Sequence, residues 1–110
     1  MQIEKKDNYT SIICDENTFS EFYNSFLIEE KKLQKENLIV IISDKYIPTL
    51  KEFSLFLDIS EQKKENGTSF VLVNTEIDVD NFPENFNIVP TLQEALDILE
   101  MEAIERELEF

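Results

Sequence analysis

Three carboxylates, three hydroxyls and one thiol are the side chains of this chain whose types and spacing could do chemistry. Asp15-Glu16 follows one apolar run and Asp44 follows the next. If the two runs are parallel strands, their ends share one edge of a sheet, and three carboxylates converging there would suit a hard cation such as magnesium. Thr49 sits at the start of a helical pattern, where free backbone N–H groups and the helix dipole stabilise a phosphoryl group. Ser43 and Ser54 are lesser hydroxyl candidates. Against the carboxylate reading, Asp15 and Asp44 are also ordinary turn residues, and Thr49 is an ordinary helix cap. Cys14 has no Lys, Arg or His neighbour in sequence to lower its pKa, which predicts a small core residue.

What is absent narrows the chemistry further. The chain has no histidine, which removes the commonest general base, His-dependent triads and most zinc chemistry. Gly67 is the single glycine, so no Gly-rich phosphate cradle can form. One cysteine excludes an internal disulfide and a thiol metal cluster. Catalysis and cofactor binding are therefore not expected.

The 110 residues suit one domain, single over positions 1–110. Hydrophobic residues make up 42% and charged residues 31%, the balance of a globular chain. No apolar run approaches the roughly 20 residues of a membrane span. The first six residues lack the apolar stretch of a secretion signal, so a cytoplasmic protein is expected. Net charge is −14, and the ten basic residues are scattered. Nucleic acid and anionic membranes are thus poor partners, whereas a basic protein surface is a good one.

The elements that must position these residues announce themselves by their caps. Thr18-x-x-Glu21, Thr49-x-x-Glu52 and Thr91-x-x-Glu94 each have capping-box spacing. Residues 2–6 and 9–14 alternate around Asp7-Asn8 and predict a hairpin, with the first strand antiparallel on an edge and Ile12 and Ile13 inward. Phe19, Phe22, Tyr23, Phe26, Leu27 and Leu33 predict a helix from Thr18 to about Lys35. Leu38–Ile42 and Phe70–Val73 read as strands covered on both faces. Between them a helix over Thr49–Glu65 should turn Leu50, Phe53, Phe56 and Leu57 inward, with Leu55 and Ile59 beside them, and stop at Asn66-Gly67. Asp78–Asn85 is a polar turn around Pro83, Phe86–Val89 a last strand and Thr91–Leu108 a last helix. Helices between apolar strands imply a mixed, mostly parallel α/β sheet of about five strands.

At about 100° per residue, Leu92, Ala95, Leu96, Leu99 and Ala103 form one stripe of the last helix, expected on the sheet. Met101, Ile104 and Leu108 fall nearly opposite, among Glu100, Glu102, Glu105, Glu107 and Glu109. That second stripe is a candidate partner interface.

The acidic pair and Asp44, with Ile41-Ile42-Ser43-Asp44-Lys45-Tyr46-Ile47-Pro48, resemble the phosphorylation site of a receiver domain. However, only one helix separates Asp15 from Asp44, where a receiver needs helix-strand-helix. The lysine before proline of that family is here Val89.

The whole chain more closely resembles the STAS domain of anti-sigma factor antagonists. Val40-Ile41-Ile42-Ser43 is similar to the strand that ends the family's Asp-Leu-Ser. Ile47-Pro48-Thr49-Leu50 falls one residue early on its helix-start motif Ile-Asp-Ser-Ser-Gly, and Ser69-Phe70-Val71-Leu72-Val73-Asn74 is similar to its next strand. The segment from Val89 to Leu108 looks closer to small stand-alone bacterial STAS-like proteins, some labelled ribonuclease Z. A zinc nuclease needs a His-rich motif, which this chain lacks. The resemblance implies a STAS-like fold and a non-enzymatic regulatory module working by protein–protein contact. Its partner would be an anti-sigma-factor-like kinase or a second copy as a homodimer. It also implies a phospho-acceptor at Thr49 or Ser43, degenerate in its motif. A receiver-like switch using Asp44 or Thr49 is one alternative, and a small-ligand binder at the strand ends is another.

Overall fold

The computed structural model describes residues 1–42, 49–76, 78, 80, 82–83 and 86–108. Ser43 and Asp44, two of the candidate site residues, lie outside them, as does Glu109. Among the described residues, five strands form one sheet in sequential order: β1 (Gln2–Lys5), β2 (Thr10–Cys14), β3 (Leu38–Ile42), β4 (Phe70–Val73) and β5 (Ile88–Val89). β1 pairs antiparallel with β2, with Ile3 opposite Ile12, and the turn closes through Lys6 N–H to Tyr9 O at 2.8 Å. β2 through β5 are parallel, with Cys14 beside Ile42 and Ile41 beside Val73. This is the mixed, mostly parallel α/β sheet read from the sequence.

Strand alternation builds two cores. Ile12, Cys14, Leu38, Val40, Ile42, Phe70, Leu72 and Ile88 face α1 (Phe19–Glu30), α2 (Leu50–Ser54) and α3 (Leu57–Glu65). Ile39, Val71 and Val73 face α4 (Leu92–Leu108) through Ala95 and Leu99. Sequential parallel strands with crossovers of one hand send their helices to one side. That leaves the other side to α4, which meets β4 and β5. Ile41 packs against this second core, and both it and Ile13 are half-buried.

All three capping threonines accept a hydrogen bond from the N–H three residues on: Glu21 to Thr18 at 3.2 Å, Glu52 to Thr49 at 3.1 Å and Glu94 to Thr91 at 3.2 Å. Helix continuity departs from the sequence pattern at two places. The expected single helix over Thr49–Glu65 is broken at Leu55-Phe56, where i→i+3 bonds replace i→i+4 bonds (Leu55 N–H to Glu52 O, Phe56 N–H to Phe53 O). The tighter turn keeps Phe53, Phe56 and Ile59 inward at spacing three. It turns Leu50 and Leu55, both expected inside, out to solvent. The Ser54 hydroxyl donates to Leu50 O at 2.7 Å, a bond that bends helices, and the Tyr23 hydroxyl donates to Leu55 O at 3.3 Å.

The other departure is α1, which stops at Glu30 rather than near Lys35. Leu33 then folds into the core on two short turns. Their carbonyls are claimed by Lys63 of α3, whose ammonium donates to Leu33 O and to Glu36 O, the latter at 2.7 Å. Gly67 follows α3 with φ 78°, the left-handed conformation that glycine adopts without strain.

Candidate functional site

Of the strand-end candidates, Asp15 and Glu16 fall within the described residues, and they are not joined there into a metal site. Asp15 and Glu16 leave the end of β2 as the sequence reading places them. However, both carboxylates accept from the Met1 amino group, Glu16 at 3.0 Å. Hydrogen bonding from that ammonium holds the Asp15 carboxyl below its usual range. Among the described residues no group of three or more His, Cys, Asp or Glu is placed to hold a metal ion. Cys14 is buried in the core over α1.

Thr49 is exposed, and both sides of its capping box are made. Its hydroxyl accepts from Glu52 N–H, and its own N–H donates to the Glu52 carboxylate at 2.8 Å. A phosphoryl group on this hydroxyl would face the Glu52 carboxylate less than one turn away and disrupt the box by repulsion. Thr49→Ala should lower stability by about 1 kcal/mol, whereas Thr49→Ser should keep most of it. Urea unfolding of the two variants checks this. Equal losses would show that the hydroxyl does not act as the cap.

The last helix supplies the other candidate residues. Met101, Ile104 and Leu108 are exposed at 55%, 52% and 76%. Their spacing of three and four puts them along one side of α4. The inward side is rotated from the stripe read off the apolar residues. Ala95 and Leu99 are buried and Leu96 is half-buried, but Leu92 and Ala103 are exposed. Ile98, Glu102 and Arg106 take their place on the inward side. Asn87 Nδ2 donates to Glu102 at 2.7 Å, and Arg106 donates to the Ser69 hydroxyl at 3.2 Å. These two polar ties set the rotation of the second half of the helix. Glu102, expected beside the outer stripe, is thereby drawn to the sheet side.

A groove of about 550 Å³ lies beside α4 at the opposite edge of the sheet from the strand C-termini. Asn8, Tyr9 and Asn37 line one side, and Leu96, Leu99, Glu100 and Ala103 the other. The sequence reading placed no residue there. The half-buried Tyr9 and Asn37, each just before a parallel strand, were its available signal.

No helix among the described residues is long and apolar enough to cross a membrane. No protein-family model matches the chain, and no curated protein matches it.

Proposed function

We propose that this chain is a STAS-like protein-interaction module, cytoplasmic and non-enzymatic, that presents the outer side of α4 to another protein. The observation that carries the reading is the exposure of Met101, Ile104 and Leu108 on a helix whose opposite side is packed and tied to the sheet. Three large apolar side chains in line are the anchors of helix-in-groove recognition, and methionine adapts to varied partner surfaces. The sequence adds support, since a chain without histidine and with one glycine lacks the usual means of acid–base and phosphate chemistry. The exposed Thr49 is accounted for by its capping box, which leaves the interaction reading ahead of a phospho-switch.

The test is affinity capture with wild type and with Met101→Asp plus Leu108→Asp. Both positions face solvent, so the pair should leave the circular dichroism spectrum and unfolding midpoint nearly unchanged. Proteins held by wild type should be lost from the variant. An identical set of captured proteins on both would overturn the proposal.

A further inference from the structure

The interaction reading leaves the chemistry of the partner open, and the charges around the stripe select it. At about 100° per residue, Met101, Ile104 and Leu108 span roughly 60° of the α4 circumference. Glu100 and Glu107 border one side of that arc, Glu94 and Glu105 the other, and Asp97 heads it at its N-terminal end. All five carboxylates are exposed. Arg106, the one base of α4, is half-buried and donates to Ser69 on the sheet side, where it lines a hollow with Lys64, Glu102 and Glu105. The apolar strip is therefore bordered by carboxylates on both sides, on a chain of net charge −14.

Resting on the interaction reading above, we infer that the occupant of this strip is a basic amphipathic helix: an apolar stripe flanked on both sides by lysine or arginine. Its stripe meets Met101, Ile104 and Leu108, and its flanking cations meet the two glutamate rows. A second copy of this chain would bring acidic row against acidic row, an arrangement that like-charge repulsion disfavours. An anionic membrane surface is repelled in the same way. The strip covers about two helical turns, which fits a short, reversible contact rather than an obligate interface.

The experiment uses helical peptides of about 18 residues, long enough to hold a helix. One is built from Leu and Lys, a second has Glu for every Lys, and a third has Ser for every Leu. Each is titrated calorimetrically into wild type, into Met101→Asp plus Leu108→Asp, and into Glu100→Lys with Glu105→Lys and Glu107→Lys. The expected result is binding of the Leu/Lys peptide to wild type, weaker by at least about tenfold for each variant, with a preference of the charge-reversed variant for the Leu/Glu peptide. The Ser/Lys peptide should bind at least about tenfold more weakly than the Leu/Lys peptide. Equal binding of Leu/Lys and Leu/Glu peptides to wild type, lost in the Asp variant, would overturn the basic-partner inference and leave the interaction reading standing. So would wild-type self-association in sedimentation that disappears in the Asp variant, or stripe-dependent binding to phosphatidylcholine vesicles. Leu/Lys binding that is unaffected by Met101→Asp plus Leu108→Asp would overturn both.

Discussion

Phe56→Ala is expected to lower the unfolding free energy by about 3–5 kcal/mol. Phe56 is fully buried at the break between α2 and α3. Its ring stands edge-on to Phe19, Tyr23 and Phe26, at centroid distances of 5.9, 5.5 and 5.3 Å, and tilted against Phe70 at 6.0 Å. One side chain thus joins α1, the α2–α3 break and β4. Truncation removes the transfer free energy of the ring and leaves a cavity whose walls come from separate elements, so they cannot easily close together. A domain of this size has roughly 5–15 kcal/mol of stability in all, so the loss is a large part of the total. Guanidinium unfolding should show a much lower midpoint. Phe56→Leu, which keeps most of the volume, should lose less than half as much. A loss under about 1 kcal/mol for the alanine variant would mean that the cluster does not hold the helices to the sheet.

Lys63→Met is expected to cost about 2–4 kcal/mol, an effect of the same order from a charged residue. Lys63 is only 1% exposed, and its ammonium binds the carbonyls of Leu33 and Glu36 beyond the end of α1. Burial pushes its pKa below the ordinary 10.5, partly offset by the carboxylates of Glu30 and Glu36. The charge is therefore held at a cost. Deleting it is not a gain, because the methionine would leave two carbonyls and the buried Glu30 without that partner. The pH dependence has a definite sign. Between the depressed folded value and 10.5, the unfolded chain binds more protons at this site than the folded one. Stability from this group is thus present above 10.5 and lost as pH falls through the folded value. Wild type should gain stability relative to Lys63→Met as pH rises through that window. Denaturant melts of both proteins at a series of alkaline pH values would show this. A flat difference would mean that Lys63 is not desolvated.

Much of the fold was legible because its signals are local. A capping threonine and the N–H it satisfies are three residues apart, so Thr18, Thr49 and Thr91 mark their helices from sequence alone. Leu38–Ile42 and Phe70–Val73 are too apolar to be covered on one face only, and they occupy the centre of the sheet. The hairpin at Asp7-Asn8 follows from turn chemistry and alternation. The exposed triad of Met101, Ile104 and Leu108 was separable from the packed side because helical periodicity places residues around an axis.

Side chains that act across long stretches of chain were not legible. Nothing near Lys63 in sequence sets it apart from Lys64, yet one is buried under the end of α1 and the other is exposed. The break at Leu55-Phe56 lies inside an unbroken helical pattern, and it sets Phe56 against Phe19, Phe26 and Phe70 together. The rotation of α4 is set by Asn87 and Ser69, which are 15 and 37 residues from their partners Glu102 and Arg106. Sequence alone determined where α1, α2 and α4 begin and which strands are central, since each depends on residues within about one turn or one strand, and that the sheet is mostly parallel, since helices separate those strands. Only the tertiary structure decided where α1 ends, where the second helix bends and that Ile98, Glu102 and Arg106, not Leu92 and Ala103, turn toward the sheet. In each case the deciding hydrogen bond or ring contact joins elements that meet only once the chain is folded.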